Sequence, residues 1–280
     1  MTFYSIAILI IKTVIGQEIS LNEIVKSIFA PIYNVYWFPT AYIGMYFCFP
    51  LLNIIVDKVG EKLIKALVLL TVIFSLLNFL FPGSDFLYSD LSWFLYLYLW
   101  GAYIKRNDLQ ILEKKACLVT GISVICIWLS SVFFNFAGIY LGNTSIVKYA
   151  YYFSGITSPF VLISGLGVFI IFKNLKIETN KCINYLGSIS FSVYLLHDNP
   201  FFREILWKDI FATEKLYDIN VFILSGHMLF VVVILFGASA LIEVVRKKLE
   251  RIVFSRKLVK QYMDKLDNWF EEIVTETKLN

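Results

Sequence analysis

One short stretch of the sequence gathers residues that could carry out chemistry. Gly187–Pro200 has the sequence GSISFSVYLLHDNP, in which glycine and serines lead into His197, and Arg203 and Trp207 follow within three turns. A neutral imidazole at a helix end could act as a general base toward a hydroxyl group. The alternative is that His197 only caps the end of an interfacial helix, and the spacing by itself favours this alternative.

Other kinds of reactive site are not apparent in the sequence. With only two histidines, His197 and His227, the chain cannot build a histidine-rich metal site. No Walker A loop, HExxH or GxSxG pattern occurs. The four cysteines form no CxxC pair and are best explained as apolar filling of helices: Cys48, Cys117, Cys126 and Cys182. We therefore predict no metal and no bound cofactor.

The composition is typical of a protein that lies mostly within a lipid bilayer. Hydrophobic residues make up 59% of the 280 residues and charged residues 16%, whereas soluble domains average about 45–50% and about 25%. The apolar residues form continuous blocks near the roughly 20 residues that a spanning helix needs. Continuous blocks also exclude a membrane β-barrel, whose strands alternate apolar and polar residues.

These blocks predict an all-α, polytopic transmembrane helical bundle of 7–8 spans. Seven spans are predicted at Tyr36–Val56, Leu63–Phe81, Phe86–Ile104, Ala116–Phe134, Tyr152–Phe172, Ile183–Phe202 and Ile219–Ile242. Ala7–Ile15 is a possible eighth. We predict one transmembrane domain over residues 1–242 and a cytoplasmic amphipathic tail over 243–280. In the tail, apolar residues recur at helical spacing, which indicates a helix on the inner leaflet or one packed on the protein's own loops.

The basic residues predict the orientation of the bundle. The tail and the loops at 57–65, 105–115 and 173–181 together contain 19 lysines and arginines, whereas the intervening loops contain four. Because positive residues are retained in the cytoplasm, the tail and these three loops are predicted to be cytoplasmic. The net charge of +4 is small for this length and argues neither for nor against nucleic acid as a binding partner.

Three stretches together resemble the membrane-bound acyltransferase 3 family. Ser190–Pro200, with Arg203 and Trp207 after it, is similar to the family's late-helix signature SxxxYLxH. Tyr36–Asn53, YWFPTAYIGMYFCFPLLN, is similar to its WF…YL…PLLN span. Trp93–Arg106, WFLYLYLWGAYIKR, is similar to its LYLIGAYIRK span. The resemblance runs in order from about Met1 to Ile242.

The resemblance implies transfer of an acyl group, usually acetyl, from acyl-CoA to a hydroxyl of a surface carbohydrate or its lipid-linked precursor. It implies His197 as the catalytic residue, and Arg203, Tyr194 and Trp37 as substrate-binding residues. The implied partners are the lipid bilayer, acyl-CoA and a carbohydrate acceptor, without nucleic acid. The implied location is the inner or cytoplasmic membrane of a bacterium.

The chain departs from the family pattern at its amino terminus. Family members begin with a helix that carries an arginine and then a histidine, whereas the first basic residue here is Lys12 and no histidine precedes His197. We therefore expect that the chain begins at about the family's fourth helix and that its activity depends on the missing part. A polytopic exporter of polysaccharide precursors and an inactive remnant are the alternatives. The sequence predicts neither the buried ionisable residues nor the symmetric broken helices that a transporter would be expected to show.

Overall fold

The described part of the chain consists of helices joined by turns and loops. The structure is a computed structural model that describes residues 1–80, 88–107, 110–176, 178–216, 220–254 and 261, 264, 265 and 268. These residues include no β-strand. The α-helices are α1 (Thr2–Val14), α2 (Leu21–Ile28), α3 (Trp37–Val59), α4 (Leu63–Leu80), α5 (Asp90–Arg106), α6 (Gln110–Tyr140), α7 (Thr144–Val147), α8 (Pro159–Asn174), α9 (Lys181–His197) and α10 (Val221–Phe254).

Four helical stretches among the described residues are long and apolar enough to cross a membrane. They are Trp37–Ser75, Glu113–Tyr140, Thr144–Asn174 and Val221–Ile252. Each overlaps at least one span predicted from the sequence, and Trp37–Ser75 overlaps the first two. The all-helical membrane protein predicted from the apolar blocks is therefore confirmed, and the number of 7–8 spans stays a prediction.

Two predicted spans correspond to helices that are shorter than a bilayer is thick. The predicted spans Phe86–Ile104 and Ile183–Phe202 overlap α5 and α9, which have 17 residues each. At 1.5 Å per residue, such a helix is about 26 Å long, against a hydrocarbon core of about 30 Å. The first residues of the span predicted from Phe86 lie outside the described residues.

The last helix continues beyond the predicted end of the transmembrane domain. α10 has 34 residues and passes Ile242 without a break. The apolar residues on which the amphipathic tail was predicted lie outside the described residues: Leu258, Val259, Tyr262, Met263, Leu266, Trp269, Phe270 and Ile273. The tail and the domain boundary therefore stay predictions.

The chain divides into two compact units, and the division falls within α3. One unit, called the outer-chain unit here, comprises Met1–Ile43 and Thr179–Asn280. Its core forms where Ile8 of α1 packs with Val193 of α9 and Val231 of α10. The burial of these apolar side chains holds three sequence-distant helices together.

The short helix α2 is fastened to α1 by a polar contact. The hydroxyl of Ser20 accepts a hydrogen bond from the backbone N–H of Glu23 and so begins α2. The carboxylate of Glu23 in turn accepts a 2.8 Å hydrogen bond from the buried ammonium of Lys12 on α1. The positive charge of a lysine inside an apolar helix is thereby paired with a negative charge.

The other unit, the mid-chain unit, comprises Gly44–Glu178. Its main core is aromatic, with Trp93 and Tyr96 of α5 packed against Phe74 of α4. Ser89 begins α5 with a capping box, in which its hydroxyl and that of Ser92 exchange hydrogen bonds with each other's backbone N–H.

Candidate active site at the end of α9

His197 is the last residue of α9, and the helix is fixed at both of its ends. The side chain of Asn180 accepts hydrogen bonds from the backbone N–H groups of Cys182 and Ile183, and this cap begins the helix. At the other end, the backbone N–H of Asp198 donates to the carbonyl of Tyr194. The imidazole therefore sits at a defined position where the chain leaves the helix.

The imidazole of His197 is held by a backbone carbonyl. Its Nδ1 lies 2.7 Å from the carbonyl oxygen of Val193, one turn earlier in α9. Because a carbonyl oxygen can only accept, Nδ1 carries the hydrogen of the neutral ring, and the lone pair lies on Nε2. The rings of Tyr194 and Trp207 meet the imidazole edge-on, with centroids at 6.2 and 6.3 Å. The ring is thus half-buried and oriented, with Nε2 set as an acceptor.

The turn after His197 is fixed by a buried asparagine. Asn199 is fully buried, and its side chain donates a 2.8 Å hydrogen bond to the hydroxyl of Tyr36. Its side-chain oxygen accepts from the backbone N–H of Phe201 at 2.9 Å. The hydroxyl of Ser5 on α1 donates to the same tyrosine at 3.3 Å. This network ties the turn to α1 and to the residue before α3.

Arg203 lies close to the site and keeps part of its hydrogen-bonding capacity. One of its terminal nitrogens donates a 3.2 Å hydrogen bond to Asp198, and its side chain is 59% exposed. An arginine has five N–H donors, so others can reach an anionic group. Next to it, the hydrogen bond from Lys208 lowers the pKa of the exposed Glu204 carboxyl, and the same bond raises the pKa of Lys208.

The two aromatic residues predicted to bind substrate are connected through Phe38. The ring of Tyr194 stacks on Phe191, with centroids at 6.3 Å and an interplanar angle of 18°. Phe38 packs against Tyr194 at 5.8 Å, and Trp37 packs edge-on against Phe38 at 5.8 Å. The structure therefore brings the rings of His197 and Tyr194 into contact, whereas the ring of Phe38 lies between Tyr194 and Trp37.

A buried carboxylate lies behind the site and was not singled out from the sequence. Glu243 of α10 accepts 3.0 Å hydrogen bonds from the hydroxyls of Tyr4 on α1 and Ser192 on α9. Arg246, one turn further along α10, donates to both of its carboxylate oxygens at 2.7 and 2.8 Å. We call these four residues the Glu243 cluster. It connects three helices, and Ser192 lies five residues before His197.

The described residues do not form a metal site, since no three His, Cys, Asp or Glu side chains lie close enough together to share an ion. The chemistry that the arrangement can support is proton transfer by an oriented imidazole, with a guanidinium nearby to bind an anion.

The comparison with family models decides the family. The model of the acyltransferase 3 family, described as an acyltransferase domain, matches residues 1–245. The chain belongs to the acyltransferase 3 family. No curated protein and no solved structure matches the chain. The resemblance carried by the three sequence stretches is therefore confirmed, and this acyltransferase 3 chain is a membrane acyltransferase in general terms. The roles of its individual residues stay predictions.

Sequence reasoning missed Tyr36 and Asn199, as well as the Glu243 cluster, in this acyltransferase 3 chain. One signal was available, because Glu243 and Arg246 are spaced i, i+3 on one helix, the spacing at which opposite charges pair. No comparable signal links Tyr4 to residues more than 180 positions away.

Proposed function

We propose that this chain is an O-acyltransferase that moves an acetyl group from acetyl-CoA to a hydroxyl of a cell-surface carbohydrate or of its lipid-linked precursor. Membership of the acyltransferase 3 family supports the acyl transfer. The observation that carries the proposal is the His197 imidazole, whose Nδ1–H is occupied by the carbonyl of Val193 and whose Nε2 is left as a proton acceptor.

In the proposed reaction, Nε2 of His197 takes the proton from the acceptor hydroxyl while the hydroxyl oxygen attacks the thioester carbonyl carbon. The new C–O bond replaces the C–S bond, which breaks with its electron pair on sulfur. The thiolate of CoA then takes the proton from the imidazolium. General-base catalysis of this kind contributes about 100-fold to 10,000-fold.

Arg203 is proposed to bind an anionic part of the donor or acceptor with the N–H groups that Asp198 leaves open. Tyr194 and Trp37 are proposed to offer apolar faces to the substrate. We further propose that the chain lies in the inner membrane of a bacterium, with 7–8 spans and a cytoplasmic carboxyl terminus, from its distribution of basic residues.

The test is acyl transfer in membranes that contain this chain, and separately any longer form that its gene encodes. Labelled acetyl-CoA and the host's surface glycans are supplied, and label in alkali-labile esters is counted. We expect label with the longer form and, in that form, a loss of at least about 100-fold with His197→Ala.

The matched control is His227→Ala, the same change at the only other histidine, which lies on α10. We expect its activity to equal that of the unchanged protein. Equal activity of His197→Ala and His227→Ala would refute the role of His197. Absence of label from every correctly inserted form, with glycan precursor flux in vesicles, would instead favour an exporter.

A further inference from the structure

An apolar cavity of about 460 Å³ lies between α5 and α8 in the mid-chain unit. Its floor includes Trp93 and Ile104 of α5, both nearly fully buried. It opens at the protein surface, where Gly165 and Phe169 of α8 are exposed. None of the residues that we place at the candidate active site lines this cavity.

The cavity has the length of the hydrocarbon layer of one leaflet. Its lining on α5 follows one stripe from Trp93 through Leu97 and Gly101 to Ile104. Eleven residues of helix rise about 16 Å, which is about half of a hydrocarbon core of about 30 Å. α5 and α8 run in the same direction, because Trp93 packs in one cluster with Leu162, and Ile104 packs in another with Ile170.

On both α5 and α8, a lysine follows the cavity-lining residues at the same end of the cavity. Lys105 lies four residues after Gly101 and directly follows the lining residue Ile104, so it stands at the end of the lining on α5. Lys173 lies four residues after Phe169, one turn beyond the lining on the same face of α8. Both side chains are exposed, although Lys173 also donates to Glu113 at 3.0 Å. An apolar slot with cationic groups at one end is complementary to an anionic amphiphile.

We propose that this cavity binds one acyl chain of an anionic membrane phospholipid, whose headgroup phosphate lies against Lys105 and Lys173. α8 belongs to the candidate span Thr144–Asn174, which is long and apolar enough to cross a membrane, and we infer that the open side of the cavity faces lipid. The predicted orientation places the lysine end at the cytoplasmic surface, where anionic lipids attract basic residues.

Two glycines in the lining allow a direct test. A Cβ atom added at Gly101 or at Gly165 meets no other atom within 4 Å, so a side chain can begin at either position without a clash. Gly165→Leu is therefore expected to fill the slot. The matched control is Gly121→Leu on α6. A Cβ atom added at Gly121 also meets no atom within 4 Å, and Gly121 does not line the cavity.

The probe is phosphatidylglycerol with a photoreactive diazirine on one acyl chain, mixed into phosphatidylcholine vesicles that contain the full chain. After illumination, labelled peptides are mapped by mass spectrometry. We expect label concentrated on α5 and α8, a several-fold loss with Gly165→Leu, and no loss with Gly121→Leu. Lys105→Gln, a change at an exposed position, is expected to lower labelling by phosphatidylglycerol but not by a diacylglycerol probe without phosphate.

Three results would overturn the proposal. Label spread evenly over the lipid-facing helices, unchanged by Gly165→Leu, would mean ordinary solvating lipid. Absence of label from α5 and α8 would mean that another protein segment fills the cavity. Label removed by excess acyl-CoA would assign the cavity to the donor substrate. The readout is crosslinking, so it is independent of whether the chain transfers acyl groups.

Discussion

At the scale of single residues, the carboxylate of Glu243 is the most heavily bonded charge in the outer-chain unit that the structure describes. A carboxylate offers about four acceptor positions, and those of Glu243 are used by Tyr4, Ser192 and two nitrogens of Arg246. A charge among apolar helices is costly unless it is paired and fully hydrogen-bonded. The cluster satisfies this condition with groups from α1, α9 and α10, and so fixes the helix that carries His197.

Tyr4→Phe tests this role, because the substitution removes one hydroxyl and leaves the ring in place. We expect the free energy of unfolding to fall by about 1.5–3 kcal/mol, the usual contribution of a hydrogen bond to a charged group. The measurement is reversible unfolding in detergent micelles. Tyr140→Phe, at a side chain that is 89% exposed, is the control and should change stability little. Equal stability of the two variants would mean that the cluster does not hold the helices together.

That His197, Tyr194 and Arg203 lie near one another could be predicted from the sequence, because all three belong to one continuous stretch, and their roles stay predictions. The Glu243 cluster could not, since Tyr4, Ser192 and Glu243 become neighbours only when three helices pack. The apolar periodicity of a membrane helix also carries little information about which face meets which neighbour. Trp37 was predicted from a motif, whereas the ring that contacts Tyr194 is the adjacent Phe38.

At the scale of helices, the close packing of α6 on α8 depends on a glycine. A methyl group added at Gly167 would overlap the hydroxyl of Thr120 on α6. Nearby, the hydroxyl of Ser123 on α6 donates a 3.0 Å hydrogen bond to the carbonyl of Phe160 on α8. Small residues at such contacts let membrane helices approach closely, which is how they associate without a hydrophobic driving force.

Gly167→Ala is therefore expected to destabilise the mid-chain unit by about 1–3 kcal/mol, the usual cost of overpacking. The short, branched side chain of Thr120 cannot move aside as a flexible one would. Gly165→Ala, two residues away, is the control, because its added methyl meets no atom within 4 Å. Thermal unfolding in detergent should separate the two variants, and equal melting temperatures would show that α6 and α8 can move apart freely.

The existence of the helices could be predicted from the apolar blocks more readily than their ends. Tyr152–Phe172 was predicted as one span, but the chain forms a 3₁₀-helix at Lys148–Ser154 and begins α8 only at Pro159. Proline is favoured in the first turn of a helix because its missing N–H has no partner there. α9 ends at His197 rather than at Phe202 because the turn at Asn199 accepts the next backbone N–H groups.

At the scale of the whole molecule, the basic residues carry information that apolar content does not. Length and composition alone identify four candidate spans among the described residues. The apolar blocks of the sequence predict seven, and the alternation of lysine-rich and lysine-poor loops supports seven, because each crossing must exchange one side for the other. The two counts differ at three places: the short helix α5, the short helix α9, and the stretch Trp37–Ser75, which the sequence prediction divides into two spans.

Cysteine labelling tests whether α9 is one of the crossings. In a variant without the four natural cysteines, single cysteines replace four exposed residues that lie between predicted spans: Asn107, Ser145, Glu178 and Glu214. If α9 crosses the membrane and the lysine-rich loops are cytoplasmic, a membrane-impermeant maleimide should label Ser145→Cys and Glu214→Cys in intact cells. Asn107→Cys and Glu178→Cys should react only after permeabilisation, because their loops are rich in lysine.

The pair Glu178→Cys and Glu214→Cys shows whether α9 crosses the membrane, since this helix lies between the two positions. If both react from the same side, α9 does not cross the bilayer, and the end of the helix with His197 lies on the side that carries its first residues. The proposed reaction would then have to take place at the cytoplasmic surface, and an acceptor exposed only on the outer face would be excluded.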